Sequence, residues 1–144
     1  MRSPYGEFIA KKIVSELKKM QLIKEELSFK SGVVTYQNGS IHPLTEKFLI
    51  EDGINKNQTN RHQARLVDNY PEYFSETKLF IAMTNEHRKI LNKKGYLNNY
   101  LLSEVANKGQ EEILDPYLYP EIEEEIFANI KEYTKRFIYE LVKL

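Results

Sequence analysis

No cysteine occurs among the 144 residues, and no other absence removes as much chemistry. Disulfide frameworks, thiolate zinc sites, iron–sulfur clusters and thiol nucleophiles are all excluded for this chain. Charge of one sign is also missing: Lys+Arg 21 against Asp+Glu 21 leaves a net charge of +0. There is no global basic field to hold nucleic acid or an anionic membrane surface, so any anion site must be local. No run approaches the ~18 apolar residues of a membrane span, and the N-terminus shows no basic-then-apolar signal. A soluble, cytoplasmic protein is expected, with neither a nucleic-acid nor a membrane partner. G-x-G-x-x-G and Walker patterns are missing, and His42, His62 and His87 show no metal spacing, so no cofactor or metal is expected. Internal repeats, linkers and low-complexity segments are absent as well.

What remains is one ordinary domain over 1–144, long enough to bury a self-sufficient core. With hydrophobic residues at 41% and charged residues at 29%, the composition is that of a globular chain. Ser3 and Pro4 suit a helix start, and Ile9, Ile13, Leu17 and Met20, widened by Ala10 and Val14, make one apolar face. Leu27 to Tyr36 is β-rich and ends at Asn38-Gly39, a turn signal, which predicts a strand followed by a loop. His42-Pro43 opens a second helix with Leu44, Phe48 and Leu49 inward and Gly53 as its left-handed stop. Asn55 to Ser75 is polar and reads as loop with short helical turns.

Lys78 to Met83 is a compact apolar run without alternation, the mark of a parallel strand covered on both faces. Thr84 then caps a helix with Ile90 and Leu91 inward that stops at Gly95, and a short strand is expected around Tyr100 to Leu102. The last segment steps by three or four residues through Ile122, Ile126, Ile130, Tyr133, Phe137, Leu141 and Leu144. Its opening Glu121, Glu123, Glu124 and Glu125 complement a helix dipole, so the acidic run is structural. Alternating helix and strand predicts an α/β fold, a three-layer parallel sheet with helices on both faces.

Arg2-Ser3-Pro4 at the head of an amphipathic helix, together with Asp115-Pro116-Tyr117 just before the last helix, resembles the low-molecular-weight protein tyrosine phosphatases. In that family a phosphate loop of pattern C-x-x-N-x-C-R-S-P joins the first strand to the first helix, and a late D-P-Y segment supplies the acid. Lys30-Ser31-Gly32-Val33 and Phe80-Ile81-Ala82-Met83-Thr84 resemble two further strand ends of the family, in the right order. The resemblance runs from Arg2 onward. It implies hydrolysis of a phosphotyrosine protein or small aryl phosphate through a phosphocysteine, with no cofactor. Arg2 would be the bidentate phosphate ligand, Ser3 the loop hydroxyl, Asp115 the general acid, and Tyr117 an aromatic wall at the mouth.

The departures are as informative. The family's Cys lies six positions before the loop Arg, and here only Met1 precedes Arg2. The nucleophile, the rest of the loop and the interior first strand are missing, and Thr84 replaces the Asp of the Met-Asp pair. An N-terminally truncated phosphatase, inactive as given, is the reading preferred over a natural pseudophosphatase acting as a binding module. The arsenate reductase branch comes last, because it needs redox cysteines. Losing an interior strand leaves the strands near Phe29 and Phe80 without their shared neighbour. Either they pair directly, or a segment of another copy fills the gap and makes a homo-oligomer.

Overall fold

The computed structural model describes residues 1–35 and 39–144, so Tyr36, the expected strand end, and Asn38 of the expected turn lie outside the described residues. Helix α1 (Arg2–Lys19) begins one residue earlier than the expected cap: Met1 is its N-cap, no side chain caps it, and Ser3 and Pro4 lie within the first turn. Pro4 is tolerated there because first-turn N–H groups have no helical acceptor. Ile9, Ala10, Val14 and Leu17 are buried as their spacing predicts, and Tyr5 and Phe8 extend the face. Met20 is the exception, 59% exposed at the helix end.

Helix α2 (Pro43–Glu51) is capped by His42, whose Nδ1 accepts the Leu44 N–H at 3.1 Å; Phe48 and Leu49 are buried. Gly53 takes φ 87°, which any side chain would strain. The polar stretch holds only short turns, among them α3 (Lys56–Thr59) and α4 (Pro71–Phe74). Strands β1 (Phe80–Ala82) and β2 (Asn99–Leu101) pair in parallel, Phe80 opposite Asn99, across helix α5 (Asn85–Lys93). Thr84 caps α5, its hydroxyl accepting the His87 N–H at 3.2 Å. A short α6 (Leu102–Val105) follows, then α7 (Glu123–Leu141), with Glu123, Glu124 and Glu125 in its first turn. The buried face of α7 ends at Ile138; Leu141 and Leu144 are exposed.

The core lies where α1, α2 and α7 meet. Phe127 stacks on Phe48 with centroids 4.4 Å apart and meets Tyr5 edge-on at 4.9 Å. A second cluster joins Val14, Leu17 and Ile23 to Ile138. The architecture is the expected α/β fold with a parallel sheet and helices packed on it, but among the described residues the sheet has two strands.

The strand expected over 27–36 is reduced to a single parallel bridge between Val33 and Leu66. Val33 donates to the Arg65 carbonyl and accepts from the Val67 N–H, both at 2.9 Å. A ladder needs several consecutive pairs, and here the other edge of the stretch faces a cavity of about 530 Å³ instead of a neighbour. The free edge of β1 faces the same cavity. Direct pairing of the two stretches, one of the two expected remedies, therefore does not occur, and the gap stays open.

Candidate functional site

Loops that follow the carboxyl ends of parallel strands gather the polar groups of an α/β fold at one edge. Just past β1, the Met83 carbonyl accepts the Ile113 N–H at 2.8 Å, and the Ile113 carbonyl accepts from Arg2 Nη1 at 2.6 Å. The start of α1 is thereby tied to the segment that carries Asp115. Asp115 closes a turn on itself: its Oδ1 accepts the Tyr117 N–H, and its carbonyl accepts from Leu118 and Tyr119, each at 3.0 Å. An Asp side chain bonding two residues ahead is the local reason this turn forms, and the fully buried Pro116 anchors it.

Arg2, Ser3 and Asp115 all line the cavity beside β1. Burial lowers the Arg2 pKa from its ordinary value, while the carboxylates of Asp115 and Glu112 oppose that shift. A guanidinium remains charged in such surroundings, with N–H groups left over from its bond to Ile113. Tyr117 stands apart from the other three: its side chain is 74% exposed, and it is not among the cavity's lining residues.

His87 is a residue that spacing arguments missed. It is half-buried and lines the cavity. Burial pushes its pKa down, and Arg2 pushes the same way, against Glu86, Asp115 and Glu112. The available signal was positional: it lies just beyond the carboxyl end of a parallel strand, where such folds build their sites. Glu112 belongs to the same edge and accepts the Asn85 N–H at 2.8 Å. His42 and His62 also line the cavity. His62 likewise has its pKa lowered by burial, with Glu7 opposing.

Chemically, this edge joins one charged fork, the amides of a helix start, a carboxylate and an imidazole. That set can hold a tetrahedral anion and move a proton. It contains no thiol, because the chain has none.

No family model matches the chain, and no curated protein matches it. Solved structures do. A YwlE mutant from Bacillus subtilis superposes with a TM-score of 0.78 at 22% identity, covering 97% of this chain and 90% of its own. A YwlE arginine phosphatase mutant bearing a phosphorylated active-site serine gives 0.78 at 21%, over 97% and 88% of the two chains. A low-molecular-weight protein tyrosine phosphatase from Bacillus subtilis gives 0.76 at 22%, over 99% and 90%. The fold is that of the low-molecular-weight protein tyrosine phosphatases.

Within that phosphatase fold, residues of the four motifs that carried the resemblance come together in space. Arg2-Ser3-Pro4, Gly32 with Val33, and Met83 line one cavity with Asp115. Thr84, in place of the expected Asp, keeps the helix-capping role. No helix among the described residues is long and apolar enough to cross a membrane.

Proposed function

We propose that this chain carries the phosphate-holding and proton-donating parts of a low-molecular-weight phosphatase site, for phosphotyrosine peptides or small aryl phosphates. The observation that supports it is the meeting of Arg2, Ser3 and Asp115 at one cavity, past the carboxyl end of a parallel strand. Arg2 would grip two phosphoryl oxygens, the first-turn amides of α1 would face a third, and Asp115 would protonate the departing phenolate. Tyr117 would meet the aryl ring from outside the cavity. The attacking thiolate is not among these residues, so hydrolysis needs a Cys-bearing strand and loop joined ahead of Arg2. The chain by itself is a weak binder of phosphate.

A second reading, a natural pseudophosphatase serving as a binding module, draws support from Arg2 itself, which spends one N–H on the Ile113 carbonyl. One chromogenic assay with an aryl phosphate separates the two, run beside phosphoarginine because an arginine phosphatase shares the fold. The chain alone should hydrolyse neither above background. With a strand and C-x-x-N-x-C loop grafted before Arg2, turnover should appear, and Asp115→Ala should then lower it by roughly a hundredfold, the scale of a general acid. A folded graft that stays inert favours the pseudophosphatase. Robust hydrolysis by the cysteine-free chain would refute the assignment.

A further inference from the structure

We propose that a second cavity, between α1 and α7, binds a medium-chain carboxylate, with its apolar chain along the two helices and its charged end at the Lys135 ammonium. The cavity holds about 200 Å³ and shares no lining residue with the one beside β1. Its floor is apolar: Ile9 and Leu17 are buried there, and Ile13, on the same face of α1, is half-buried. Met20 ends that face. Its spacing predicted burial, yet it is 59% exposed where it lines this cavity. A flexible thioether left in water beside an open apolar floor is a side chain that can fold down over a guest.

The rim is basic. Lys12, Lys131 and Lys135 stand there against one carboxylate, Glu16, and such side chains lay their methylenes along apolar surface while the charge stays at the mouth. Lys12 donates to the Asp52 carbonyl, and Lys131 donates to Asp52 Oδ1 at 2.7 Å, so both are steadied by the end of α2. Lys135 pairs with no carboxylate among the described residues; its Nζ stands over the Tyr139 ring, 5.6 Å from the centroid. A neutral apolar guest would leave that charge facing carbon, and a cation would meet three like charges. The complementary guest is an anion with an apolar chain.

Size limits the chain. On α7 the cavity runs from Lys131 to Tyr139, eight helical rises or about 12 Å. Its volume is room for about seven heavy atoms, at the roughly 30 Å³ that a water takes in the liquid. Seven carbons below a carboxylate make octanoate. A two-chain lipid or a peptide helix is too large for the space.

The full chain, labelled at its methionine methyls and titrated with sodium octanoate, tests this by NMR. Met20 reports this cavity, whereas Met1 and Met83 line the other. Octanoate should shift the Met20 methyl saturably and one to one, with a Kd of about 1 mM, and leave Met1 and Met83 in place. Octanol and octylamine should bind at least fivefold more weakly, and each methylene removed from the chain should cost about two- to fourfold. Lys135→Glu should weaken octanoate at least tenfold. Glu16→Gln should tighten it about twofold, a gain that no loss of folding produces. A shift that never saturates, equal binding of octanol, or indifference to chain length or to Lys135→Glu would overturn the assignment. So would shifts at Met1 and Met83 with Met20 unmoved. None of these readouts involves phosphate, so failure here leaves the hydrolysis assay untouched.

Discussion

His87 shows how one side chain couples the site to stability. Its pKa in the folded chain is lowered by burial first and by Arg2 second, from an ordinary value of 6.5. Between those two values the unfolded chain binds more protons than the folded one, so stability rises with pH across that window. It is fully present above 6.5 and erodes as the pH falls below it. His62 has the same sign, by burial first. Urea midpoints should therefore fall between pH 7.5 and 5.5, and His87→Gln with His62→Gln should flatten that fall; an unchanged slope in the double variant would show that neither imidazole is the cause. Tyr5 works at the other end of the scale. Its hydroxyl, buried and donating to Asp52 Oδ2 at 2.5 Å, has its pKa raised, so its stabilisation is full below pH 10 and is lost as the pH rises beyond that.

At the scale of elements, the seam between α1 and α7 carries the fold, and Phe127 is its centre, 1% exposed between Phe48 and Tyr5. Phe127→Ala should cost about 3–5 kcal/mol, because the surrounding rings cannot collapse into the space. Urea unfolding at constant slope would read this directly, and a loss under about 1 kcal/mol would show the site to be more plastic than its stacking implies. This seam was legible in advance because a 3.6-residue period needs nothing beyond its own segment. The stops at Gly53 and Gly95 and the cap at Thr84 were legible for the same reason. The stretch 27–36 was not: its β-rich composition is real, but a strand exists only with partners, and only Val33 finds them. His87 was missed for a related cause, since Arg2, Glu112 and Asp115, whose charges act on it, are distant in sequence. That Asp115 and Arg2, over a hundred residues apart, line one cavity could not be read from the Asp-Pro pair alone, which marks nothing more than a turn.

For the whole molecule, the question is what holds an α/β fold together when, among the described residues, its sheet has two short strands. A two-stranded ribbon is marginal by itself and gains independent stability only by packing on helices. Here the larger buried cluster gathers Tyr5, Ile9, Phe48, Leu49, Phe127 and Ile130 from helices, and the sheet side adds Met83 and Leu102 at its edge. Stability should accordingly be graded across the molecule, with the helical seam opening only in global unfolding and the walls of the cavity beside β1 opening locally. Native-state amide exchange should find the slowest amides in the middle of α1 and α7. The 24–32 segment and Ile81, whose N–H groups have no ladder partner, should exchange many-fold faster, and the β1 amides bonded to β2 should fall between. This ordering is a consequence of where apolar contact is dense, not of secondary-structure type. Strand amides exchanging as slowly as those of α7 would mean that the two-stranded sheet is held by more than its packing on the helices.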